Sequence, residues 1–186
     1  MAILNSLAGL GMTGTSALPH DSAKLRHATT LAQHINSPAR LTSYLTDAIG
    51  VPVSLRQFVG HWDDIADPLQ SRLGLNYSGL GENAVIGARS FSRQNRAELR
   101  LGPLTHSQFL AMLDDPETRS KLHHAILFAA GHDISFRVRL VLAAAEVPAA
   151  RLGACRLGAT AWVQPKRDRD AQDLILADAA DKRAAA

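Results

Sequence analysis

The chain is poor in the residues that usually announce chemistry. It has one cysteine, Cys155, among 186 residues. One thiol closes no internal disulfide and makes no zinc site by itself, which fits a reducing compartment. Aromatic residues make up only 5%, which argues against a base-stacking platform for nucleic acid. The apolar opening MAILNSLAGLGM has no basic residue before Lys24. It is too short to span a bilayer and lacks the charged start of a signal peptide. Such a start reads as a piece whose first helix packs on something upstream, and the chain reads as cytoplasmic. HExxH, GxSxG and a His/Cys pair at metal-ligand spacing are also missing. Gly79, Gly81 and Gly87 are not followed by the Lys-Ser/Thr of a phosphate loop. No metal, cofactor or catalytic site is expected from spacing.

What is present is globular. The chain is 46% hydrophobic and 20% charged, enough for one ordinary domain or two very small ones. The net charge of +3 leaves two classes open: a binding or scaffold domain, and, as the alternative, a small basic nucleic-acid-binding domain.

The organising stretch is Ser37 to Trp62. Ser37 is a good N-cap and Pro38 suits the first helical position. Leu41, Tyr44, Leu45 and Ala48 share one helix face. Gly50 is placed to end the helix in a left-handed conformation. Val51, Val53 and Leu55 then alternate with polar residues, which predicts a half-buried strand running to Phe58. Upstream, a short helix is expected over Asn5–Gly11 and another after Asp21. Downstream, Gly60–Gly81 reads as a long loop, and loops of that length are usually functional. Ala84–Phe91 and Arg96–Leu101 read as a hairpin turning at Ser92–Asn95. Thr105 to Gln108 is a capping-box start. Asp115-Pro116 starts a further helix, closed by Gly131. Ile134–Leu142 is the clearest strand, with Arg137 and Arg139 on its polar side. Thr160–Val163 reads as a short strand and Asp173–Leu176 as an extension.

The two halves echo each other. Each reads helix, strand, Arg-Leu-Gly, Leu-Gly, strand, and LGENAVIG aligns with LGATAWVQ without a gap. The fold class expected is α+β, two related helix–strand–loop–strand units with a central β-hairpin, preceded by N-terminal helices. The boundaries are 1–36 for the N-terminal helical segment and 37–104 for the first unit with its hairpin. The second unit is 105–164, and the C-terminal extension and tail are 165–186. If the repeat holds, the two long loops offer similar surfaces to two copies of a partner.

Candidate chemistry is thin. His61, Asp63, Asp64 and Asp67 cluster, but no activated nucleophile stands near them. His27 and His34 share a face without a third ligand. Arg89, Arg93, Arg96, Arg100, Arg137 and Arg139 read as the wet side of amphipathic strands.

Four stretches, taken together, resemble one family. They are GVPV followed by FVGHW, then LGENAVIGARSFSRQNRAELRLGPLTHSQF, then HDISFRVRLVLAAAEVPAARLG, and LGATAWV. Their order and spacing, from about Leu7 to Leu176, resemble the TssG family of type VI secretion baseplate subunits, also called ImpH or VasB. Phe91 and Ser92 stand where that family usually has Trp and Asp, and Ala159 replaces a Trp. The resemblance is to the C-terminal half of the family. It implies a structural, non-enzymatic baseplate component of a phage-like contractile machine. Its implied place is the bacterial cytoplasm, at the inner face of the cytoplasmic membrane. It implies hetero-oligomeric partners, TssF, TssK and TssE, with no nucleic acid and no membrane insertion. Protruding loops dock TssK in this reading. The residues expected to meet partners are Trp62, Asp63, Asp64, Ile65, Pro68 and Leu69 in the first loop, and Val147, Pro148, Arg151 and Leu152 in the second.

Overall fold

The computed structural model describes residues 26–27, 37–131, 133–151, 153, 155–163 and 168–176. The expected helices at Asn5–Gly11 and after Asp21, apart from Arg26 and His27, lie outside the described residues. So do Leu152 and the tail from 177.

Helix α1 spans Pro38–Ile49 and buries Tyr44 and Leu45. Ser37 sits at its N-cap in extended conformation without a side-chain cap bond. Gly50 ends it at φ +76°, and its N–H donates to the Thr46 carbonyl at 2.9 Å. Thr46 also takes the Val53 N–H on its hydroxyl at 3.2 Å, which fixes the turn from helix into strand β1, Val53–Arg56. The strand is shorter than the expected Val51–Phe58. Phe58 breaks it at φ +55°, a conformation unusual for a bulky side chain.

Strands β2, His61–Asp64, and β3, Arg89–Ser92, follow. Then come β4, Arg96–Leu104, helix α2, His106–Asp114, helix α3, Pro116–Ala130, β5, Ser135–Leu142, and β6, Ile175–Leu176. The capping box forms as expected. Thr105 Oγ1 accepts from the Gln108 N–H at 3.3 Å, and Gln108 Oε1 accepts from the Thr105 N–H at 3.0 Å. Asp115 caps α3 by accepting from the N–H groups of Glu117 and Thr118.

The main sheet has the order β1-β4-β5-β6, and β2 pairs with β3 in a separate two-stranded sheet. β4 runs antiparallel to β1 and parallel to β5. The hairpin expected across Ser92–Asn95 is therefore replaced. Both edges of β4 are taken, by β1 and β5, so β3 turns away and pairs with β2. Two expected closing strands are also absent. At 84–86 the chain is leaving a turn in which the N–H groups of Glu82, Asn83 and Ala84 converge on the Gly79 carbonyl. At 160 the Thr160 N–H bonds back to the Arg156 carbonyl and Thr160 Oγ1 accepts from the Arg156 N–H, which closes a turn instead. The helix–strand start of each expected unit is present. α1 and α3 touch, and β1 and β5 flank β4 in one sheet.

The core lies between the helices and one face of this sheet. Leu99 and Leu101 of β4 and Phe136, Val138, Leu140 and Leu142 of β5 meet Leu45, Phe109, Met112, Leu122 and Ile126 from the helices. Each such side chain contributes about 1.5–3 kcal/mol when fully buried. The period-two alternation of β5 is what delivers four of them to one face.

Candidate docking loops

Two segments leave the main sheet. The first, 57–95, builds its own support. β2 and β3 pair antiparallel, with Trp62 opposite Phe91 and Asp64 opposite Arg89. The two rings lie 5.3 Å apart at 59°, and the Arg93 guanidinium sits 5.9 Å from the Phe91 ring centre. Arg89 Nε donates to Asp64 Oδ1 at 2.8 Å. An added Cβ at Gly60 would meet the Phe91 ring at 2.4 Å, so a larger residue there would push the ring aside. His61 is buried at the root of this arm, with Nε2 2.9 Å from Asp63 Oδ2. Asp67 meets Gln70. Of the expected cluster, His61 and Asp63 meet, whereas Asp64 is taken by Arg89 and Asp67 by Gln70.

Beyond β2 the arm runs through a 3-10 turn, Asp67–Leu69. Gln70 braces it by donating to the Ile65 carbonyl at 2.9 Å. Two more turns follow. Arg72 exchanges backbone bonds with Leu75 and Asn76, and Asn83 Oδ1 accepts from the Gly79 N–H at 3.0 Å.

The second segment, 143–163, shows no strand among its described residues and is tied to the helices. Glu146 accepts from the His106 N–H at 3.3 Å. Arg156 forks onto both carboxylate oxygens of Asp114. That pairing, chiefly through its hydrogen bonds, holds the Asp114 carboxyl below its ordinary pKa. Trp162 packs on the core residue Phe109 with ring centres 5.8 Å apart. Its carbonyl accepts from the Ala150 N–H at 3.3 Å, which closes the loop on itself. A cavity of about 590 Å³ opens beside Val147 and Trp162, walled by residues 169–173. His61 and the neighbouring aspartates are not part of it.

The repeated Leu-Gly words have a structural meaning that pattern reading missed. Leu73, Leu80 and Leu157 are 96%, 93% and 94% exposed. Each precedes a glycine in left-handed conformation, Gly74, Gly81 and Gly158, at φ +75°, +79° and +75°. In these three places the word is a turn that holds a leucine out into solvent, unlike Leu101-Gly102, whose leucine lies in the core, and both segments use it.

The expected contact residues fall into two groups. Trp62, Asp63, Asp64, Pro68, Leu69 and Arg151 are exposed. Ile65, Val147 and Pro148 are half-buried and brace the loops. Phe58, Leu73, Leu75, Leu80, Ile86 and Leu157 are exposed apolar residues that were not foreseen as contacts. Among the described residues no group of three or more His, Cys, Asp or Glu could hold a metal ion. His27 instead bonds Asp47 at 2.9 Å and lies edge-on to Tyr44. No helix among the described residues is long and apolar enough to cross a membrane.

The profile of a family described as type VI secretion, TssG, matches residues 1–164. The chain belongs to this family. Comparison with curated proteins gives no match. Among solved structures, a chain of the TssK-TssF-TssG baseplate subcomplex, seen by cryo-electron microscopy, is 24% identical with a TM-score of 0.63. The match covers 86% of this chain and 67% of that one. A chain of the type VI secretion baseplate complex is 22% identical with a TM-score of 0.59, over 95% of this chain and 52% of that one. At these identities the structural likeness concerns the fold. This TssG-family chain spans between half and two-thirds of the length of those two chains.

Proposed function

We propose that the chain is a non-catalytic scaffold of a type VI secretion baseplate, holding two projecting loops apart so that other subunits dock on them. The observation that carries this reading is the shared use of exposed Leu-Gly turns on two segments that leave one sheet. Fully exposed leucines on braced turns are what an apolar socket on a partner would take up. TssK is the partner proposed for both loops. TssF is proposed to pack on the helices and TssE to join the same assembly, in the cytoplasm at the inner face of the membrane. The family membership and the baseplate origin of both structural neighbours support this assignment.

The test is a pull-down of TssK with the chain co-expressed with TssF. Replacing residues 66–87, or residues 149–158, by a short Gly-Ser linker should weaken TssK capture. The domain should stay folded, because no described residue of either segment belongs to the buried core cluster. Undiminished capture by both variants would remove the docking assignment.

A further inference from the structure

The main sheet has a second face, opposite the helices. Alternation along β4 and β5 sends Glu98, Arg100, Arg137 and Arg139 away from Leu99, Leu101, Phe136 and Val138. The register places Arg56 of β1 and Arg137 of β5 directly on either side of Glu98. In the adjacent row Arg100 and Arg139 stand side by side. Both reach back to the same carboxylate. Arg100 Nε donates to Glu98 Oε1 at 2.9 Å and Arg139 Nη2 to Glu98 Oε2 at 3.1 Å. Glu98 is almost wholly buried beneath them. Burial pushes its carboxyl up, but the bonds from Arg139 and Arg100 outweigh that and hold it below its ordinary range.

Glu98 is thereby occupied by two of its four guanidinium neighbours. Among the described residues neither Arg56 nor Arg137 has an ion-pair partner. Arg56 is exposed and Arg137 half-buried. One carboxylate among four arginines leaves excess positive charge on this face, which a further anion would offset.

We propose that this sheet face docks an acidic segment of another polypeptide, whose carboxylates pair with Arg56 and Arg137 across Glu98. The two arginines are two strand spacings apart, about 9–10 Å. Acidic side chains at alternate positions of an extended segment, about 6.8 Å apart, reach both. The guanidinium fork matches a carboxylate in two parallel bonds. Nucleic acid fits less well. No aromatic side chain shares these rows to stack a base, and Glu98 would lie beneath the phosphates. The inference is independent of the two loops.

The test uses the full chain and a fluorescein-labelled oligoglutamate peptide, titrated by anisotropy at low salt beside an oligothymidylate of equal charge. The peptide should bind, and more tightly than the oligonucleotide. Arg56→Glu with Arg137→Glu should weaken peptide binding by about tenfold or more. Arg119→Glu with Lys121→Glu, the same charge change placed on α3 across the sheet and outside both loops, should stay within about twofold. Arg56→Gln with Arg137→Gln removes the charge without reversing it and should lose about threefold, which guards against misfolding of the charge-reversed protein. Absence of peptide binding by the unaltered chain would overturn the proposal. So would equal losses in the sheet-face and α3 pairs, or tighter binding of oligothymidylate.

Discussion

Each projecting segment carries one of the chain's two tryptophans, and the two rings are held differently. Trp62 is 65% exposed and leans on Phe91, within the arm's own small sheet. Trp162 is half-buried against Phe109 of the core. The first arm is therefore a self-supporting unit, joined at its root by the Val59 N–H bonding to the Arg96 carbonyl. The second loop borrows its order from α2 through Trp162, Arg156 and Glu146. One sheet thus projects similar leucine turns by two mechanisms, local strand pairing and anchorage on the helical layer.

The harshest way to break this contrast is to remove the anchor. Phe109 is fully buried and touches Trp162, so Phe109→Ala should cost about 4 kcal/mol of global stability, as large-to-small core changes do. Denaturant unfolding reads the loss. Below the unfolding midpoint, limited proteolysis should accelerate within 149–158 and not within 66–87. Equal acceleration in both segments would mean that the arm leans on the core as well. Trp162→Ala removes the same contact from the loop side, with a smaller expected loss of about 2 kcal/mol because the ring is only half-buried.

Acid acts more gently, and on the second loop first. Hydrogen bonds from Arg156 hold the Asp114 carboxyl below its ordinary value. A depressed carboxylate contributes order that is complete above its unfolded pKa, about 3.9 for Asp, and is lost as pH falls through the lower folded value. Cleavage at 149–158 by an acid-active protease should therefore rise as pH drops from about 4 toward 2. Asp114→Asn, which discharges the pair permanently, should show the raised cleavage already at neutral pH, with little change in melting temperature. A variant indistinguishable from the parent at both pH values would show that the Arg156 fork does not hold this loop.

How much of this was legible follows from how local each rule is. The Ser37–Gly50 helix, the Thr105 capping box, the Asp115 cap and the alternation of β5 are decided within a few residues, and the sequence shows them plainly. Pairing is not local. His61–Asp64 contains one apolar ring among polar residues and reads as loop, because nothing in it reveals a partner strand 25 to 31 residues away at Arg89–Ser92. Proximity in sequence pairs Ala84–Phe91 with Arg96–Leu101, although β4 is already enclosed by β1 and β5. The arginines were recognised as a polar face, but Glu98 holding two of them needs the register of three strands. The Leu-Gly words were visible as repeats. Their glycines explain the left-handed turns, but a leucine is ordinarily expected to be buried, so their exposure could not be read.

The smallest effect is the sharpest measure of the contrast. Trp62→Ala removes a ring that meets solvent over most of its surface and touches Phe91 within the arm. Its cost to global stability should stay within about 0.5 kcal/mol, as for surface substitutions in general. Tryptophan fluorescence of the variant should lose the component open to iodide quenching and keep the shielded one from Trp162. Capture of TssK should nevertheless fall, because the ring pair stiffens the base from which Leu73 and Leu80 project. If Trp62→Ala instead lowered stability as much as Trp162→Ala, the two segments would share one mode of support, and the arm would be an extension of the core with no independence of its own.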